Sequence, residues 1–413
     1  MSPASRVLAC VALVALPLAF AGPAAARAQE PGAPAPRPVP APKAIDLVLC
    51  LDVSNSMDGL IDSAKIRLWD IVNEMARLRP TPDLRVALYS YGSSNYNPAH
   101  GWVKKELDLT ADLDDVYKAL NGLRTKGGTE LVARVSKAAI TEQPWARDRG
   151  ALRLVFVCGN EPVDQDKQVT LDEVVDLARG PGVIVNTIYC GRGGTVEACG
   201  WAMFAEKCGG KSLTIDQNRA LVAEVPKTEF DDQILKLGDD LGKTYLAYGK
   251  GGKAGLENQQ AQDRAALKAT PAPAGGFGGA AGPAAPATAA LARAASKAGD
   301  LYRNDRWDII DKMKADKTFD ITKVPEAELP EELCKLPPGE RAAYVQKKAD
   351  ERAALQKRIT DLSAQRQKKL DEERAKAPQN PADRALDEAV RAVVRDQARA
   401  AGFEVAPARN EKK

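Results

Sequence analysis

Histidine is almost missing from this chain: of 413 residues, only His100 carries an imidazole. That nearly excludes Ser-His-Asp and Cys-His catalysis and histidine-rich metal sites. An excess of one charge is missing too. The 59 Lys and Arg face 56 Asp and Glu, a net +3, so nothing calls for a nucleic acid or a membrane surface as partner. After the first 28 residues no apolar run approaches the ~18 residues of a membrane helix. The cysteine spacings do not read as a zinc site. What remains is long and apolar enough, at 44% hydrophobic, for a core-bearing domain and something more.

Composition divides the chain. Residues 1–28 read as a cleavable signal peptide: Arg6, then the apolar stretch "VLACVALVALPLAFAG", then small residues at Ala26 to Ala28. A lipobox at Cys10 is the rival, but Cys10 precedes the apolar core. The expectation is an exported protein, periplasmic or secreted, with six cysteines in an oxidising space. Residues 29–44 are a Pro/Ala spacer. Residues 45–248 alternate apolar runs with amphipathic segments. Residues 249–290 turn Gly-, Ala- and Pro-rich, as a flexible linker does. Residues 291–413 are charged and helical, so two domains joined by a linker is the economical reading.

The middle region predicts strands at 45–52, 84–91, 151–158, 183–190 and 211–215, all near-continuous apolar runs as in strands buried on both faces. Helical patterns fall at 59–78, 110–123 with Thr110 as N-cap, 129–141 and 229–244. This alternation predicts an α/β fold with a doubly wound, mainly parallel sheet. Ligands of such sheets sit at the carboxyl ends of the strands.

The first predicted strand ends in "DVSNS". Asp52, Ser54 and Ser56 alternate, so an extended loop points all three the same way. One carboxylate and two hydroxyls suit a hard cation, Mg²⁺ first and Mn²⁺ or Ca²⁺ as alternatives. A second loop, "TKGGTE", brings Thr129 at the start of a predicted helix. In this strand–helix order, the 45–248 region resembles a von Willebrand factor A domain. That resemblance implies a metal-ion-dependent adhesion site built from Asp52, Ser54, Ser56 and Thr129. It also implies an Asp on a third loop, where this chain has Cys158 in "VFVCGNEP". Glu161 is the replacement candidate, with Asp164 behind it. The resemblance further implies a protein partner that offers an Asp or Glu carboxylate to the ion. The blander alternative makes "DVSNS" a turn and helix cap, with Thr129 a plain N-cap and Glu130 in the first turn.

Cys190 and Cys199 flank a Gly-rich loop and are the disulfide candidate, with Cys158 to either as the next choice. His100 reads as a surface or loop residue of an insert beyond the second strand, and Tyr96 and Trp102 there fit a partner contact or plain packing equally. In the C-terminal region a long charged helix starts near Pro338. A last amphipathic helix carries Leu386, Val390, Val393 and Val394. A short coiled coil or helical hairpin fits, with a homo-oligomer through the tail possible. The expected function is therefore an exported, non-enzymatic binding protein using the adhesion-type site. A metal-free scaffold is the alternative, and a metal hydrolase the remote one.

Overall fold

The computed structural model describes residues 43–58, 60–215, 226–268, 286–376 and 381–405. The expected signal peptide, the spacer up to residue 42 and positions 269–285 of the expected linker lie outside the described residues. Among the described residues no helix is long and apolar enough to cross a membrane.

The strands are β1 (Ala44–Asp52), β2 (Leu78–Arg79), β3 (Asp83–Tyr91), β4 (Val103–Thr110), β5 (Leu152–Gly159), β6 (Ile184–Cys190), β7 (Ser212–Ile215) and β8 (Glu404–Val405). Six of them form one sheet in the order β4-β3-β1-β5-β6-β7, parallel except for the antiparallel β3–β4 pair. All five predicted strands are there, within a residue at each end. The edge strand β4 escaped prediction because half of its sequence, VKKELDLT, is charged. Edge strands carry such residues to block further pairing.

The α/β region contributes α1 (Ile61–Met75), α2 (Leu113–Gly122), α3 (Val132–Glu142), α4 (Leu171–Arg179), α5 (Val196–Lys207) and α6 (Asp231–Gly242). Asp112, not Thr110, caps α2, accepting from the amides of Asp114 and Asp115 at 2.9 and 3.2 Å. Strand β1 lies at the centre of the sheet. Its Ile45, Leu47, Leu49 and Leu51 enter one apolar cluster with α1, α2 and α6. Its Val48 and Cys50 enter the other, with α3, α4 and α5. An unbroken apolar run thus serves two cores at a period of two.

The C-terminal helices are α7 (Gly252–Lys268), α8 (Pro286–Lys297), α9 (Ile309–Ala315), α10 (Glu331–Cys334), α11 (Pro338–Lys376) and α12 (Pro381–Ala400). Helix α7 occupies much of the stretch where composition suggests a linker. The described residues from Lys43 onward fall in one compact unit. Helix α7 lies against α2 and α8, and α11 against α6, α8 and α9. The narrow stripe of α11 is spent inside the chain, with Val345, Ile359 and Leu362 buried, so α11 packs intramolecularly rather than as a coiled coil. Helix α12 lies against α1 and β7. There Arg395 Nε donates to Glu74 at 2.6 Å, and Gln397 exchanges two amide hydrogen bonds with Asn186 of β6. Strand β8 then pairs with β2, Leu78 opposite Val405.

Buried charges fix these helices in place. Arg352 of α11 is fully buried, and its Nη1 and Nη2 reach the two Asp308 oxygens at 2.7 and 2.9 Å. Nη2 also donates to the Thr244 carbonyl at 2.8 Å, and the guanidinium lies 3.9 Å over the Tyr245 ring. Arg293 of α8 similarly joins Asp114 of α2 to Asp263 of α7. Removing one partner of such a pair strands a buried ion. Arg352→Met is therefore expected to lower stability by roughly 3–5 kcal/mol in urea unfolding.

The disulfide expected between Cys190 and Cys199 is not formed: none of the six described cysteines is joined in a disulfide. Cys190 ends β6 facing Cys158 of β5, with the sulfurs 3.4 Å apart and both residues buried. Cys199 lies exposed on α5. The spacing suggested a closed loop, but the strand pairing turns Cys190 inward. Burial pushes the Cys50 thiol up, and the Cys190 thiol together with burial holds Cys158 well above its usual range. Since the thiolate is the nucleophile, a maleimide is expected to modify Cys199 promptly in the native protein. Cys50, Cys158 and Cys190 should react only in denaturant, as read by peptide mass mapping.

Candidate functional site

Three loops meet at the carboxyl end of β1. The first leaves β1 at Asp52, the second spans 124–131 ahead of α3, and the third follows β5 from Asn160. Backbone and side-chain bonds fasten the second loop to the first. The Lys126 amide donates to the Val53 carbonyl at 2.8 Å, and the Gly127 amide to Asn55 Oδ1 at 2.5 Å. The Thr125 hydroxyl donates to Asp58. The third loop joins through Ser56, whose hydroxyl donates to Asn160 Oδ1 at 2.9 Å.

Asp52 lies at the centre, fully buried. Its Oδ1 accepts the Ser54 amide at 2.8 Å, while its Oδ2 is buried with no hydrogen-bond partner. Ser54 Oγ and Ser56 Oγ are 2.7 Å apart. The alternate spacing does bring these three side chains together. Burial is the main force on Asp52 and raises its pKa to about 7. Its bonds with Ser54 oppose the rise, and the charges of Glu130 and Glu161 add to it.

Two glycines make room. Gly92 follows β3 at φ +83°, a left-handed backbone that glycine adopts without strain. A methyl there would sit 2.8 Å from Asp52 Oδ1 and 3.1 Å from Glu130 Cγ. Gly159, next to Cys158, lets the Tyr91 hydroxyl approach the strand end. A methyl at that position would press on this hydroxyl and come within 3.1 Å of Asp52 Oδ2.

The other predicted residues are placed differently. Helix α3 begins at Val132, so Thr129 neither opens nor caps it. Among the described residues no hydrogen bond joins Thr129 to Asp52, Ser54 or Ser56. Thr129 instead lines an open cleft of about 250 Å³ with Trp102, Leu131, Arg134 and Asp166. Arg134 and Asp166 close one wall of that cleft with a bidentate pair at 2.9 Å. Cys158 belongs to the buried cluster of Leu51, Ile188 and Cys190. Its sulfur is committed to the core, which removes it as a ligand. Glu161 is half-buried and takes bonds from Asn160 and Gln165 at 3.4 and 3.1 Å. Asp164 is exposed. Tyr96 is packed, its hydroxyl shared by Ser90 and Glu106, and His100 is exposed.

The sequence does not single out Asn160 or Tyr91, and it places Glu130 elsewhere. Glu130 was assigned to a first helical turn; the later start of α3 leaves it in the loop, half-buried beside Asp52. Only the paired glycines before Thr129 signalled that this loop approaches another closely. Among the described residues no three His, Cys, Asp or Glu side chains converge as a metal cluster. The fit to a cation rests on oxygens instead. Oδ2 of Asp52 and the two serine oxygens form a hard donor set with an unsatisfied buried acceptor, which suits Mg²⁺, Mn²⁺ or Ca²⁺. Asp52, Ser54 and Ser56 would hold the ion, which would supply positive charge to a ligand from outside.

A buried carboxyl with a raised pKa favours the fold while protonated. That contribution is present below about pH 4 and is lost as pH climbs through about 7. With divalent cations chelated, Asp52→Asn should gain on the wild type by roughly 2–4 kcal/mol between pH 4 and pH 8. Urea unfolding of both proteins across that range measures it.

Residues 47–160 match the family model of the von Willebrand factor type A domain. No curated protein matches the sequence. Among solved structures, the chain is similar to proximal thread matrix protein 1 from the mussel byssus with a zinc-occupied MIDAS motif. The identity is 16% and the TM-score 0.34, over 42% of each chain. It is similar to the SpRpn10 VWA domain at 14% and 0.32, over 42% of this chain and 87% of that one. A von Willebrand factor type A structure from Catenulispora acidiphila gives 15% and 0.33, over 43% and 39%. The chain spans less than half the length of the mussel and Catenulispora structures.

Proposed function

We propose that the von Willebrand factor type A domain carried by this chain is a cation-assisted protein-binding module in an exported protein. The observation that carries this reading is the buried, partnerless Oδ2 of Asp52, whose other oxygen accepts the amide of Ser54, one of two serines with hydroxyls 2.7 Å apart at the sheet's carboxyl end. A cation there would be only partly neutralised by protein oxygens, and a carboxylate of a protein partner would complete it. Export rests on the signal-peptide pattern of residues 1–28. Catalysis is not part of this reading: no nucleophile with a general base was found in the sequence. The rival reading, a metal-free scaffold, is favoured by one observation, the commitment of Cys158 to the core.

The two readings part on chelation. The full chain should capture immobilised peptides bearing Asp or Glu in the presence of Mg²⁺ and release them in EDTA. Ser54→Ala/Ser56→Ala should abolish capture while leaving the thermal unfolding curve in EDTA near that of the wild type. Capture that persists in EDTA would give first place to the scaffold reading.

A further inference from the structure

We infer that Glu130 supplies the carboxylate that the third loop lacks, so that this chain's cation is held by Asp52 and Glu130 together with Ser54 and Ser56. The inference rests on the cation-binding reading above and names a ligand that reading does not contain.

Four observations carry it. The first is convergence. Asp52 Oδ1, Glu130 Cγ and Ser54 Cβ crowd one point beside Gly92, where a methyl would meet them at 2.8, 3.1 and 3.4 Å. Side chains from two loops thus converge there, and only a glycine lets them come so close. The second is the imbalance of donors and acceptors. The Ser54 hydroxyl has one proton to give, and Asp52, Glu130 and Ser56 all draw on it. Oδ2 of Asp52, fully buried, receives nothing. An acceptor-rich centre short of donors is completed by a cation.

The third observation is backbone freedom. Because α3 starts at Val132, Glu130 sits in a loop held to the first loop at Val53, Asn55 and Asp58. Those bonds bring the loop that carries Glu130 alongside the Asp52 loop. The fourth is charge. With Cys158 facing Cys190 in the core, the third loop brings no carboxylate from that position. Asp52 and Glu130 together restore two negative charges, matching a divalent ion. Glu161 is partly engaged by Asn160 and Gln165, and Thr129 faces the neighbouring cleft.

Titration of the full chain with Mn²⁺, followed by calorimetry and by the loss of free-ion paramagnetic resonance signal, tests this. Glu130→Gln is expected to weaken Mn²⁺ binding by about tenfold or more, as removal of a charged ligand does. Glu130→Asp should recover part of that loss. Thr129→Ala and Cys158→Ala should stay within about threefold of the wild type. Circular dichroism melting in EDTA checks that each variant is folded. If Glu130→Gln binds like the wild type while Asp52→Ala abolishes binding, the role of Glu130 is overturned and the cation reading stands. If the wild type binds no Mn²⁺, both fall.

Discussion

A carboxylate held in the dry end of a two-sided sheet is the constraint on which the site depends. Strand β1 is apolar because both of its faces are core, and Asp52 is its last residue. Ionising a buried carboxyl without a partner is costly, and Oδ2 has none. The neighbouring features read as responses to that group. Gly92 and Gly159 keep carbon away from it, the Ser54 amide neutralises one oxygen, and the second loop is tied down beside it. A protein that needed only a turn here would be served by an exposed asparagine or serine.

A second constraint works at a distance. The helical C-terminal region has its own apolar cluster around Ile309, Ile310, Leu333 and Val345, but it also buries charged groups. Arg293 and Arg352 are each desolvated and each grip two separate elements. Such pairs add little net stability compared with apolar packing, but they penalise every arrangement that leaves them unmatched. The helices are thereby held in one register against α2, α6 and α9.

Much of the fold was legible because its signals are local. Five buried strands announce themselves as apolar runs, and the D-x-S-x-S spacing places three side chains on one side of a loop. What was not legible depends on partners distant in sequence. The charged run of β4 looks like a loop until β3 is beside it. The Gly-, Ala- and Pro-rich composition after 249 conceals α7, whose buried Gln259, Gln262 and Ala266 find their surroundings in tertiary contacts. The pairing of Cys190 with Cys158, not Cys199, follows from β5 and β6 lying side by side. Glu130 was misplaced because a helix start was read three residues early, within the ordinary uncertainty of element boundaries.

The return of the chain's end to its beginning has a temporal meaning. Arg395 bonds Glu74 across 321 residues of sequence, and β8 closes on β2 beside it. Closing a loop of that size carries an entropic cost that no local contact recovers in advance. During synthesis, the face of α1 that meets α12 therefore stays uncovered until Arg395 has emerged. A pause after β7 would leave that contact unmade, and incompletely packed intermediates are natural substrates for chaperones.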